Sequence, residues 1–336
     1  MSDALHLRIR MLVAVVGLAV TTLLLCGTIF GALVGVGLLV GVDPTTAVVL
    51  AGAFTLVPAA YSVWSELSSS PLDGLDAPRR EPPSDLEALV ARTSSQLDVP
   101  VPAVRVVDTD APVALVSGLR RTTATLVVST GVLAALDGDE LRAVVAHELA
   151  HVANRDVAVT SACAVPVFVA DDVFGWGTAT LGESPEASAH PLSAVMLLFS
   201  LGVGGVFLAV GRLLLVLFTR QRERAADRAA VALTGDPAAL AGALTALDER
   251  FAGSPVTDLR AADGVETFSI VPPPPESTDP PVMLGPDGDR EPYGWRVRRR
   301  FVRLKNLLPS SHPATERRIE DLRDASATAE RRAPTT

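Results

Sequence analysis

The chain reads as a mainly α, polytopic membrane protein with about four transmembrane helices and a cytoplasmic α+β domain, and three observations predict it. First, 49% of the 336 residues are hydrophobic and only 20% are charged, a balance too apolar for a wholly soluble globule of this length. Second, the apolar residues come in long blocks rather than in repeats, which excludes disordered, collagen-like and coiled-coil chains. Third, the polar stretches between the blocks carry helical periodicity and short β-rich runs. The net charge of -9 removes the basic footprint that a nucleic-acid binder needs. The two cysteines, Cys26 and Cys163, lie inside apolar runs and supply neither a disulfide framework nor a Cys-based zinc module.

The first block, residues 11–40, is uncharged. At about 1.5 Å per residue it exceeds a hydrocarbon core of roughly 30 Å, so it spans with tilt or frayed ends. Arg8 and Arg10 precede it, but no small-x-small cleavage site follows, so a retained anchor is expected rather than a signal peptide. Gly27, Gly31 and Gly35 recur every fourth residue, a spacing that lets a neighbouring helix approach closely. After a short link with Asp43 and Pro44, the block Thr45 to Trp64 completes a membrane hairpin, residues 1–64. A second hairpin is expected over 157–218. Its first run, 157–181, is the weakest of the four because Asp171 and Asp172 interrupt it; its second, 191–218, holds Arg212 near enough to its end to snorkel toward water.

Basic residues fix the expected orientation. Arg8, Arg10, Arg79, Arg80, Arg155, Arg220, Arg222 and Arg224 fall on one side, whereas the links 41–46 and 182–190 contain no Arg or Lys. Both termini and both polar segments, 65–156 and 219–336, are therefore expected on the cytoplasmic face of the cell membrane.

The first polar segment opens with a linker, Ser65 to Pro83. Ser84 and Glu87 match a capping box, and Leu86, Leu89, Val90 and Leu97 make a helical stripe. Ala103 to Val107, Val113 to Val116 and Thr125 to Ser129 predict a small sheet or hairpin. A second capping box, Asp137 with Glu140, starts a helix running to about Asn154. In the second polar segment a helical pattern from Arg220 stops at Gly235, and Pro237 opens the next helix, through about Phe251. Residues 272–292 are rich in Pro, Gly and acidic side chains and read as a loop or insertion; the cluster Arg296, Arg298, Arg299 and Arg300 follows.

On the helix after Asp137 stands His147-Glu148-Leu149-Ala150-His151. Histidines four apart share a helix face and can ligate one zinc, and the intervening glutamate can take a proton from a water at the metal. A catalytic zinc needs a third protein ligand. Glu223-Arg224-Ala225-Ala226-Asp227 offers one, with Glu223 and Asp227 one turn apart. Each motif abuts an apolar run, so pairing of the third and fourth runs would bring His147, His151 and Glu223 together at the membrane surface.

With these residues in hand the chain resembles the HtpX-type integral-membrane zinc metallopeptidases, a family related to the CAAX prenyl proteases. The resemblance extends from the two leading spans through Glu140-Leu141-Arg142-Ala143-Val144, the HELAH sequence, Asn154-Arg155-Asp156, the ERAAD sequence and a tail with Ser310-Ser311-His312-Pro313 and Arg318-Ile319. It implies a zincin-like domain holding one Zn2+ per chain on His147, His151 and Glu223, with Glu148 as catalytic base, Asp227 holding a ligating histidine and His312 stabilising the transition state. It also implies a membrane endopeptidase that cleaves misfolded or damaged membrane proteins at the cytoplasmic face, its partners being protein substrates and the bilayer. An extended substrate is expected to pair with one of the short strands, Thr125 to Ser129. Where family members often carry an Asn-Ala pair before the strand facing the substrate, this chain reads Ala111-Pro112-Val113-Ala114. Two rival functions are a prenyl-protein processing peptidase, disfavoured by only four spans, and a catalytically silent zinc-binding membrane scaffold, disfavoured by the intact Glu148.

Overall fold

The computed structural model describes residues 2–68, 78–180, 198–252 and 315–332. Helices α1 (Ser2–Leu39) and α2 (Pro44–Ser68) form the first hairpin. Gly41 turns the chain at φ 84, and the Asp43 carboxylate accepts the amides of Thr45 and Thr46, so the first turn of α2 is capped within the link itself.

The polar domain follows as β1 (Arg79–Arg80), α3 (Ser84–Gln96), β2 (Ala103–Val107), β3 (Ala114–Ser117), β4 (Thr125–Ser129), α4 (Thr130–Ala135) and α5 (Gly138–Asn154). The second hairpin pairs α6 (Asp156–Thr180) with α7 (Gly205–Thr234), which is entered through a π turn at Ser200–Gly204. Helices α8 (Pro237–Ala252) and α9 (Thr315–Arg332) complete the described chain. Gly235, at φ 73, ends α7 in the left-handed conformation that glycine adopts without strain.

Among the described residues four helical stretches are long and apolar enough to cross a membrane: Ile9–Leu39, Pro44–Tyr61, Asp156–Gly175 and Ser200–Thr234. The third covers the expected weak run only as far as Gly175 and is the most enclosed of the four. Their packing depends on small residues, because a missing side chain lets two backbones close up. A Cβ on Gly211 would lie 3.1 Å from Val167, and one on Gly204 would lie 2.9 Å from the Phe174 backbone, so α6 meets α7 and the π turn that precedes it at glycines. Leu25 of α1 joins Val167, Ala170 and Leu208 in one buried cluster that ties the hairpins together. The Gly27, Gly31 and Gly35 stripe plays no part in this: nothing lies within 4 Å of where their side chains would be, and α1 instead uses Gly17 against Leu214 and Gly37 against Ala47.

The four strands among the described residues form one mixed sheet in the order β1-β2-β4-β3, with β2 parallel to β4 and the two outer pairs antiparallel. One core joins Leu86 and Val90 of α3, Leu126 and Val128 of β4, Val144 and Leu149 of α5 and Leu240, Leu244 and Leu247 of α8. Each such leucine contributes about 1.5–3 kcal/mol relative to exposure.

Three expectations need correction. The Ser84 capping box does not form: Pro83 is the N-cap, and its carbonyl accepts the amides of Leu86 and Glu87 with no side-chain cap. Arg79 and Arg80 lie inside the expected linker yet pair with Val107 and Val106 as an edge strand. Finally, Thr125 to Ser129 is β4, hydrogen-bonded on both sides, so it has no edge for a substrate; the outermost strand next to it is β3. His312, the Pro-rich stretch 272–292 and the arginines 296–300 lie outside the described residues.

Candidate metal centre

Helix α5 is specified at both ends. The Asp137 carboxylate accepts the amides of Asp139 and Glu140, while Glu140 Oε2 accepts the amide of Asp137, closing the predicted capping box. Gly242 of α8 packs on that box: a Cβ there would lie 2.6 Å from Glu140 Oε1, so any side chain would push the Glu140 carboxylate aside. At the other end Arg155 takes a left-handed conformation (φ 57), and the chain reverses into α6. That reversal carries Asp156 back beside the last turn of α5, and its carboxylate comes within 2.6 Å of His151 Nδ1.

Helix α7 then brings up the third partner. Glu223 Oε2 lies 3.4 Å from His147 Nε2, Glu223 Oε1 lies 3.8 Å from His151 Nε2, and the two Nε2 atoms are 3.2 Å apart. His147, His151 and Glu223 are all buried, and their candidate ligand atoms lie within 4.8 Å of one another. Ligands about 2.0–2.1 Å from a tetrahedral zinc sit about 3.3 Å apart, so this donor set fits the ion. Both histidines present the same nitrogen because carboxylates engage the other: Asp227 Oδ1 lies 3.0 Å from His147 Nδ1, as Asp156 does at His151. Such outer carboxylates orient the ring and fix the tautomer.

Two arginines complete the cluster. Arg318, from α9, donates from Nε and Nη2 to the two Asp227 oxygens at 3.0 and 2.7 Å, and its Nη1 lies 3.6 Å from Glu223 Oε2. Arg222 donates to Glu223 Oε1 at 2.7 Å and to Thr160 of α6 at 2.9 Å, bolting the two membrane helices together beside the site. Both side chains are buried, so each offsets carboxylate charge where water cannot.

The titration of the α5 groups follows from this enclosure. Burial pushes the Glu148 carboxyl up to about 8, with the Glu223 charge adding to it against His147 and the arginines. Burial alone would favour neutral His147, but its contacts with Asp227 and Glu223 outweigh that and raise it to about 9. His151 is lowered by burial, which Asp156 only partly opposes.

The structure thus gathers five of the six predicted site residues, His147, Glu148, His151, Glu223 and Asp227; the sixth, His312, lies outside the described residues. The sequence assigns no role at the site to Asp156, Arg222 or Arg318. Asp156 and Arg318 sit in stretches noted for their resemblance, but nothing in their spacing indicates that one backs a histidine and the other grips Asp227 from 91 positions away.

A helical membrane protein with a mixed sheet and an HExxH helix facing a glutamate from a second helix is the class that fold and site define. Residues 81–326 match the model of Peptidase family M48, and the chain belongs to that family. Among curated relatives, the protease HtpX homolog of Moorella thermoacetica is 36% identical over 200 residues, covering 58% of this chain and 64% of the relative. Protease HtpX homolog 1 of Streptomyces coelicolor is 36% identical over 195 residues, covering 57% and 63%, and the Pyrococcus furiosus protease HtpX homolog is 29% identical over 276 residues, covering 77% and 93%. The match thus spans a little under two thirds of the length of the first two relatives. Among solved structures, S. mikatae Ste24p overlaps 88% of this chain and 62% of its own, with a TM-score of 0.44 and 13% identity.

Proposed function

We propose that the chain is a zinc-dependent membrane endopeptidase acting on misfolded or damaged membrane proteins at the cytoplasmic face of the cell membrane. The observation that supports it most is the convergence of His147, His151 and Glu223 on one buried point, with Glu148 enclosed on the same helix. These three residues would hold the ion, which when bound polarises a carbonyl and acidifies water. Glu148 takes a proton from the attacking water and delivers it to the leaving amine; burial holds its proton in the metal-free chain, and a cation on the neighbouring ligands would favour the carboxylate that the base needs. Asp156 and Asp227 hold the imidazoles in the tautomer that leaves Nε2 for the metal. β3 is an outer strand of the sheet and buried along its length, so an extended substrate that pairs with it displaces what covers it, and main-chain pairing would tolerate many sequences. The arginines near the ends of the apolar runs support the orientation.

The test pairs zinc content with cleavage of an unfolded protein by the detergent-purified chain. Wild type is expected to hold one zinc and cut; Glu148→Gln keeps the metal and loses cleavage by at least about a hundredfold; Glu223→Ala loses both. A zinc-free wild type ends the proposal, and equal rates for wild type and Glu148→Gln remove the base.

A further inference from the structure

A notch opens beside His151 that the chemistry above does not use. Its walls include Val116 and Gly118 at the end of β3, Arg120 and Arg121 in the turn that follows, and His151 and Arg155 at the end of α5. The turn is held in place: Gly118 adopts φ 110, and a Cβ there would lie 2.6 Å from the Thr123 carbonyl oxygen. Arg121 is fixed by donating to the Ala153 carbonyl of α5, whereas Arg120 and Arg155 are exposed.

The charge of the notch is unusual for this chain. Three guanidinium groups line it and no carboxylate does, although the chain carries a net charge of -9. Some surface arginines find acids, as Arg80 does with Asp108 and Arg250 with Asp110, whereas others, such as Arg92 and Arg105, form no ion pair among the described residues. Among the described residues Arg120, Arg121 and Arg155 form no ion pair with a carboxylate. Part of this positive charge suits the carbonyl end of α5. That accounts for Arg121 and leaves two cations directed at nothing in the described chain.

Resting on the peptidase reading, we propose that the notch is a substrate subsite that selects an acidic side chain within a residue or two of the scissile bond. A peptide paired along β3 passes Val116 and Gly118 as it leaves the strand, and its side chains there meet the arginines. One wall is His151, so the group that enters lies next to the metal centre. An anionic lipid headgroup shares the charge but not the approach along a strand.

The test uses the full-length, zinc-loaded Glu148→Gln chain in detergent, so that binding is read without turnover. Three labelled extended peptides of Val and Thr differ only in a central Glu, Gln or Lys, and fluorescence anisotropy gives their affinities. The Glu peptide is expected to bind about three- to tenfold more tightly than the Lys peptide. Combining Arg120→Glu with Arg155→Asp inverts that order and leaves the Gln peptide unchanged; Asp suits the left-handed conformation at 155. In the chain with Glu148 restored, kcat/KM follows the same order. Equal binding of the three peptides overturns the subsite, as does an order that survives charge reversal. A reversal that abolishes only retention on phosphatidylglycerol vesicles, with peptide binding unmoved, overturns it in favour of a headgroup site. Charge-ordered binding with no cleavage by the active chain instead counts against the peptidase reading.

Discussion

The two halves of the metal centre are built in opposite ways. His147, Glu148, His151 and Asp156 lie within ten consecutive residues, and one capped helix with one left-handed turn positions them all. Glu223 and Asp227 arrive from a helix that emerges from the membrane, and their charges are balanced by Arg222 beside them and by Arg318 on a distant helix. The local half depends on backbone geometry that the sequence sets within a few turns. The remote half depends on tertiary packing and on buried ion pairs, whose desolvation cost is recovered only when every partner is present.

This difference can be broken at several points. Glu223→Ala removes the carboxylate that lies beside both histidines, and zinc content by atomic absorption is expected to fall to background. Arg318→Met leaves Asp227 and Glu223 with uncompensated charge, a loss of about 3–5 kcal/mol of stability by denaturant titration of the metal-free chain. Added zinc is expected to recover part of it, because a divalent cation beside Glu223 replaces the missing charge. Asp156→Asn and Asp227→Asn each weaken zinc binding about 10–100-fold in chelator competition, one testing each half.

Acidity sharpens the comparison further. His147, raised to about 9 in the metal-free chain, must lose a proton to accept zinc, so zinc affinity is expected to fall about tenfold per unit as pH drops below that value. Asp227→Asn removes a cause of the shift and moves the start of that fall to lower pH. In the same metal-free chain the stability from His147 is full below its unfolded value near 6.5 and is lost as pH rises through about 9. Glu148 acts in the same direction: folded chains hold its proton up to about 8, unfolded ones only to about 4.5, so stability declines across that window as pH rises. Thermal denaturation from pH 5 to 9 should therefore show a falling Tm without zinc and a flatter one with it. The smallest effect is expected from Gly242→Ala, which displaces Glu140 from its cap and costs about 1 kcal/mol.

The local half was also the legible half. An HExxH pattern implies a shared helix face because residues four apart lie above one another, and the Asp137 cap that starts the helix is a pattern of adjacent residues. The apolar runs were legible for the same reason, as contiguous composition. Arg222 looked like one more basic residue at the end of a span, and only packing against Thr160 buries it. Arg79 and Arg80 carry no β-like pattern; β2 recruits them. Ser84 has the right type for a cap but stands one position inside the helix, because the carbonyl of Pro83 already takes the first amides. The edge character of β3 depends on strand order, which the alternation of residues does not encode.

Helix α7 runs unbroken from Gly205 to Thr234, so its lipid-facing residues and its metal ligand belong to one rigid rod. Inserting a single residue between Leu217 and Glu223 would turn Glu223 by about 100° and lift it about 1.5 Å, away from both imidazoles. Depth in the bilayer and the phase of the ligand around the helix are thus one mechanical variable, and the span cannot change its length without retuning the chemistry at its end.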